Sequence, residues 1–282
     1  MPDWQLRFGR GHSGAGSTPV EIEDMILWIE SQDTAVIALL VFALCYAIAA
    51  VVLAAAVIVS QRHIASGLKA TSPVMLTPLS VMTGLLIAFL AGRVWSNLDQ
   101  ANSYVAQEAS AISESVLLVN TLPENTRNAV RDGLKKYLRF VDIEDWPAML
   151  TGRASIQQLP PGLTDAIMAM LSFIPSQSGQ QIAQDRIVMA LEKTFEARRR
   201  RILLSSAIIS PVQWIVILVL DVLVLIIIAM VHLDRRATSA IYLFVFSTAV
   251  AASLVLLMIN DRPFSAGGFT VGPAALQQIG ID

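Results

Sequence analysis

Residues 78–112 read PLSVMTGLLIAFLAGRVWSNLDQANSYVAQEASAI. Leu79, Val81, Met82, Leu85, Leu86, Ile87, Phe89 and Leu90 are apolar, and no charge appears before Arg93. Arg93, Asn97, Asp99, Gln100, Asn102, Gln107 and Glu108 then turn the stretch polar without a break, and no Gly or Pro follows Gly92 until Pro123. The pattern predicts one long helix with its first half in lipid and its second half in water. At about 1.5 Å rise per residue it would be roughly 50 Å long. A ring of such helices would make a pore that continues into a vestibule.

The chain around this stretch has 282 residues, 55% hydrophobic and 15% charged. A soluble domain carries roughly 25% charged residues, so the composition argues for a membrane protein. The net charge of −2 gives nucleic-acid binding no support. The single cysteine, Cys45, permits no disulfide within the chain, and His12, His63 and His232 are too scattered to suggest a metal site. No cofactor is implied.

Upstream, residues 34–60 are uncharged, long enough to span a bilayer, and rich in small residues that permit close helix packing. Residues 61–72 form a polar connection with Arg62 and Lys69. Residues 1–18 read as a flexible arm; Gly9-Arg10-Gly11-His12-Ser13-Gly14 matches a dinucleotide fingerprint but lacks the strand before it. Residues 20–31, with Trp28, read as a helix lying at the membrane surface.

Downstream, a helical middle domain runs over residues 93–204. Its first helix ends at Leu122-Pro123; a second carries Val130, Leu134, Leu138 and Val141 on one face and is broken by Trp146-Pro147. Residues 152–162 form a loop, and two further helices cover 163–174 and 182–201. Third and fourth spans at 206–231 and 238–259 form a hairpin, and the tail from Asp261 is extended or irregular. The fold class is therefore an all-α membrane protein: four transmembrane helices with an all-helical soluble domain inserted between the second and third. Its parts are 1–33, 34–92, 93–204, 205–260 and 261–282. Positive charge near the membrane ends favours a cytoplasmic middle domain.

Three features could carry chemistry. Asp221 lies mid-span among Val and Leu, where an ionisable group is costly and suggests an ion path or a proton relay. Its structural reading is a hydrogen-bonded or protonated carboxyl with Thr83, Ser247, Thr248 or Ser253 as partner. The run Arg198 to Arg201 reads as a basic belt against anionic lipid, or as pairing between subunits with Glu108, Glu114 or Asp99. Leu79, Met82, Leu86, Phe89 and Arg93 recur at helical spacing as a candidate pore-lining stripe, with apolar rings as a gate and Arg93 drawing anions. Trp95, Trp146 and Trp214 read as core or interfacial residues, and Glu144-Asp145 as a turn. No catalytic motif is present, so no enzyme activity is expected.

The chain resembles the bestrophin-like family of bacterial membrane proteins. The resemblance rests on Gly84 to Leu90 with Trp95, Ala101, Val105, Glu108 and Ala109; on Leu122-Pro123, Tyr137 and Asp145-Trp146-Pro147-Ala148-Met149 with Gly152; and on Asp261-Arg262-Pro263-Phe264. True bestrophins are pentameric ion channels with the pore lined by the second span. The resemblance thus implies a homo-oligomer in the bacterial inner membrane, with the lipid bilayer and inorganic ions as partners. The acidic calcium clasp of true bestrophins has no counterpart after Phe264, so calcium gating is not implied. The competing expectation is a non-conducting scaffold or sensor whose helical domain binds another protein.

Overall fold

The computed structural model describes residues 34–60, 73–232, 235–264 and 270–281. The terminal arm, the surface helix with Trp28 and the 61–72 connection lie outside them. Among the described residues every regular element is helical. Helix α1 is Thr34–Ser60 and α2 is Leu76–Leu118, led in by a 3-10 turn at Pro73–Met75. Helix α3, Glu124–Phe140, continues through one turn of π-helix, Val141–Asp145, into α4, Trp146–Leu150. Then come α5 (Leu163–Ser172), α6 (Ser178–Ser205), α7 (Pro211–Val231), α8 (Arg236–Asn260) and the short α9 (Ala274–Gln277).

Four of these helices, α1, α2, α7 and α8, are long and apolar enough to cross a membrane. Their apolar runs bury only a minor share of their side chains, because lipid rather than protein is the solvent for the rest. Helix α2 is the 78–112 stretch lengthened at both ends, about 65 Å at 1.5 Å per residue. Pro78 falls in its first turn, where a missing N–H costs nothing, and no residue after it blocks the next turn, so the helix runs unbroken from an apolar half to a polar half.

Three buried clusters hold the chain together. One, around Val105, Ile112, Val130, Leu134, Tyr137, Leu163, Ile187 and Leu191, packs α2, α3, α5 and α6 into the helical domain. The second joins Cys45, Leu90, Ile217, Val250 and Leu254, and the third joins Ala49, Val224, Leu225, Ile228 and Leu243.

Two expectations need correction. Trp146-Pro147 does not break the second helix of the domain. The widened π-turn absorbs one extra residue and accommodates Pro147 at the second position of α4, so the helix runs on. The break comes at Gly152, which has φ +67°. The tail is not simply irregular: Val271 and Leu276 are buried, and Gln277 Nε2 donates to Asp142 Oδ1 at 2.8 Å. Its apolar residues have a core to join, so the segment folds back onto α2 and the π-turn.

Helices α3 and α5 cross at a glycine pair. A Cβ on Gly133 would lie 2.7 Å from the Gly162 carbonyl oxygen, and Gly162 itself has φ +81°, a region closed to most side chains. Gly133→Ala or Gly162→Ala should cost about 1–3 kcal/mol through overpacking. Thermal unfolding of the detergent-solubilised protein checks this, with Gly179→Ala, in open space, as the neutral control.

Candidate functional site

The buried side of α6 continues the stripe Ile187, Leu191 and Thr194 into Arg198 and Arg201. Both guanidinium groups are therefore carried into the interior of the helical domain. The π-turn aims Asp145 at them, and the buried face of α2 supplies Glu108. Arg198 makes a two-pronged pair with Asp145, Nε to Oδ2 at 2.9 Å and Nη2 to Oδ1 at 2.8 Å, and donates a third bond to the Gln158 carbonyl at 3.2 Å. Arg201 grips Glu108 the same way, Nε to Oε2 at 2.9 Å and Nη2 to Oε1 at 3.2 Å, and reaches Asp145 Oδ2 at 3.1 Å. Tyr137 completes the cluster by donating its hydroxyl to Glu108 Oε1 at 2.6 Å.

The cluster is neutral: two arginines balance two carboxylates. Aromatic faces cover it, with Trp146 4.9 Å from the Arg201 guanidinium carbon and Phe140 5.6 Å from that of Arg198. Burial alone would lower the Arg201 pKa, but Glu108, Tyr137 and Asp145 hold it above its ordinary value. Burial, with the neighbouring Glu108 charge, pushes the Tyr137 phenol up, so it remains a donor. The cluster holds no nucleophile poised for attack. What it does is fix α6 against α2.

This arrangement overturns the lipid-belt expectation for the arginine run. Arg198 and Arg201 are buried within their own chain; only Arg199 and Arg200 face outward, and both pair with Glu196. Glu108 is an arginine partner, as anticipated, but within the chain rather than between subunits. Glu144-Asp145 is likewise not a simple turn, because Asp145 is the bridge between both arginines.

The closing signature ties the domain to the long apolar helices. Asp261 caps the start of α7's approach, taking the Ile209 N–H at 3.0 Å on each carboxylate oxygen. Burial pushes its pKa up to about 6, against the Ile209 bond and the charges of Arg262 and Arg93. Arg262 and Pro263 follow, with the Pro263 carbonyl accepting from the Val271 N–H at 2.8 Å. Phe264 stands edge-on to Trp146, with ring centres 5.6 Å apart. Arg201, Trp146 and Phe264 thus form a continuous stack from the ion cluster to the end of α8.

On α2, Thr83, Leu90 and Val94 are buried, while Val81, Met82, Leu85, Ala88, Phe89, Gly92 and Arg93 remain uncovered by the chain, as Trp95 is in part. Of the anticipated stripe, Met82, Phe89 and Arg93 lie on this free face, whereas Leu79 and Leu86 are half-covered by the bundle. At about 100° per residue, the stripe lies roughly 80° round the helix from Leu85 and Gly92, the middle of the free face. The sequence offers several apolar stripes at this spacing, and only packing tells them apart. The free face continues beyond the apolar half as Ser96, Asp99, Ser103, Gln107 and Ser110. Asp221 lies among the long apolar helices and is fully buried.

A membrane protein of four long apolar helices, with one of them running on into a buried ion-pair cluster, defines the class. The Bestrophin-like domain model matches residues 41–276, and the chain belongs to that family. No curated protein and no solved structure matches the chain.

Truncating Asp145 strands Arg198 and half of Arg201 without countercharge. Asp145→Ala should cost about 3–5 kcal/mol, whereas Arg199→Ala should stay within about 0.5 kcal/mol; denaturation monitored by circular dichroism separates the two. Asp261 gives a pH signature. With its folded carboxyl at about 6 and its unfolded value near 3.8, the folded state holds the proton through that window. Stability from this group is full below about pH 4 and falls as pH rises to about 6. Asp261→Asn should remove that slope from the unfolding free energy measured across the window.

Proposed function

We propose that the protein is a homo-oligomeric ion channel whose pore is lined by the free face of α2. The observation that carries the reading is the continuity of that face. It is apolar from Val81 to Phe89, then small and polar from Gly92 to Ser110, and no other part of the described chain covers it. Copies of α2 around an axis would give a narrow apolar passage followed by a hydrated vestibule. Leu85 and Val81 would form the constriction, flanked by Met82 and Phe89, and such a ring closes by dewetting. In this reading α1, α2, α7 and α8 are the spans, the helical domain between α2 and α7 is cytoplasmic, and the membrane is the bacterial inner membrane. Pentameric assembly follows the family's channels.

The charge on the face refines the ion preference. Arg93 sits at its edge, within electrostatic reach of Asp261. Asp99 sits near its middle, exposed, and makes no ion pair with a described residue. A ring of Asp99 at the vestibule mouth raises the local concentration of cations, so Arg93 no longer supports an anion preference.

The scaffold reading has one observation in its favour: Met168, Leu171 and Ile174 are exposed on the outside of α5 and the turn after it, and Ile182 in the next helix is exposed as well. In a channel, the same patch is available for burial between neighbouring subunits.

Planar-bilayer recording with sizing of the purified protein tests the proposal. Leu85→Ala should raise unitary conductance, and Asp99→Asn should move the reversal potential in a salt gradient away from the cation value. A monodisperse monomer, or the absence of currents from a stable oligomer, would favour the scaffold.

A further inference from the structure

The two clusters among the long apolar helices meet at one layer, and every helix places a buried polar side chain in it. On α7, Asp221 stands between Ile217 of one cluster and Val224 of the other. Ser247 on α8 stands between Leu243 and Val250, and Cys45 on α1 lies one turn from Ala49. Thr83 on α2 stands between Leu79 and Leu86, each packed against one of the two clusters. The Tyr46 and Thr248 hydroxyls, 3.0 Å apart, tie α1 to α8 at this depth, and Cys45 is close enough to feel the Asp221 charge. All four side chains are buried, Asp221, Ser247 and Cys45 completely.

Neither carboxylate oxygen of Asp221 nor the Ser247 hydroxyl has a hydrogen-bond partner among the described residues. Thr83 donates its proton to the Leu79 carbonyl, which leaves its oxygen able to accept. Among the described residues no countercharge faces the layer. Helix α1 has no charged residue, α7 has none besides Asp221, α2 has none before Arg93, and α8 has only Arg236 at its first position. Arg93 is ten residues from Thr83, and Arg236 eleven from Ser247, about 15 Å along either helix. The other titratable groups at this depth are the Cys45 thiol and the Tyr46 phenol, which is hydrogen-bonded to Thr248.

A bare carboxylate in an apolar layer is costly, so a positive charge must come to it. A hard metal cation asks for about six oxygens; with Tyr46 and Thr248 engaged with each other, the layer leaves four: two from Asp221 and one each from Ser247 and Thr83. A proton asks for none of that space. It lets the carboxyl donate to a hydroxyl oxygen and accept from another.

We propose that this layer is a proton-binding site, with Asp221 as the proton acceptor and Ser247, Thr83 and Cys45 as its lining. The site rests on the four helices lying in a membrane and does not require that the protein conduct. With the proton bound, the layer is neutral and the four helices close on it. With the proton released, the charge drives the layer to open toward water. Thr83 is on the back of α2, opposite the free face, so opening there moves the same helix.

Infrared difference spectroscopy of the full chain in lipid nanodiscs, titrated from acidic to alkaline pH, reads the proton directly. The expected result is a protonated-carboxyl C=O band that fades on the alkaline side, about tenfold per pH unit in protonated fraction beyond its midpoint. The band should shift with side-chain ¹³C-aspartate, persist in Asp261→Asn and vanish in Asp221→Asn. Ser247→Ala should move its midpoint, while Ser253→Ala, whose hydroxyl is bonded to the Ala249 carbonyl, should not. Should Asp221→Asn fail to fold, the isotope shift together with the Ser247→Ala displacement still assigns the band. Absence of the band in acid overturns the site, as does a band that survives at every pH, which would mark a fixed structural acid. Loss of the band when sodium replaces choline overturns the proton in favour of a metal cation.

Discussion

Arg201 cannot be buried alone, and that constraint organises the helical domain. Two carboxylates must meet it, and they come from elements far apart in the chain: Glu108 on α2, and Asp145 on the π-turn after α3. Once Arg201 holds both, the register of α6 against α2 is set to within a hydrogen bond. Arg198 then locks the π-turn from the other side and reaches the Gln158 carbonyl of the loop before α5. A buried charge cluster of this kind is a poor source of net stability, since desolvation offsets most of the attraction. Its contribution is uniqueness. A slip of α6 by one turn would leave two arginines and two carboxylates unpaired in an apolar core, a penalty no alternative apolar packing recovers.

The long apolar helices are held by different means. Lipid is as apolar as leucine, so burying another leucine between helices gains little there. The contacts that fix them are small residues, a few hydroxyls and the ends. The hydroxyls bond mostly to carbonyls one turn back on their own helix, as Thr83, Thr248 and Ser253 do. Coupling to the helical domain therefore falls on the ends: Asp261 holding the Ile209 N–H, and Phe264 standing against Trp146. Through Trp146 that contact reaches Arg201, so the end of α8 and the polar half of α2 share one stack.

Much of this was legible in the sequence. An uncharged run of span length has few other uses, and an unbroken passage from apolar to polar over residues 78–112 leaves one helix as the simplest outcome. Asp221 could be recognised as buried because its neighbours leave no polar surface for it. The arginine run misled because four adjacent charges beside a span resemble a lipid belt. Spacing held the better signal: 187, 191, 194, 198 and 201 fall on one helical face, so two arginines prolong a core stripe while Arg199 and Arg200 turn away. Asp145 was illegible for a different reason. A π-turn has no composition of its own; a straight α3 would leave Asp145, four residues after Val141, at the edge of the buried face, and the π-turn carries it round to the arginines. The pore-lining stripe was ambiguous because α2 is apolar on all sides in its first half, and only the packing of Thr83, Leu90 and Val94 shows which side is the back.

The back of α2 carries both polar constraints. Glu108 in the polar half faces the arginines, and Thr83 in the apolar half faces the Asp221 layer. Twenty-five positions separate them, about 37 Å along one continuous helix. Every residue that fixes α2 against its own chain is thus on one side, and the other side is relieved of any structural duty. That is why the free face can be small and hydroxylic from Gly92 to Ser110, a composition that would weaken any packed interface. A helix pinned only from behind can also rotate or bend slightly as a unit, because no contact in front resists it. A change in charge at Thr83's layer would then be felt along the face at Leu85, less than one turn away.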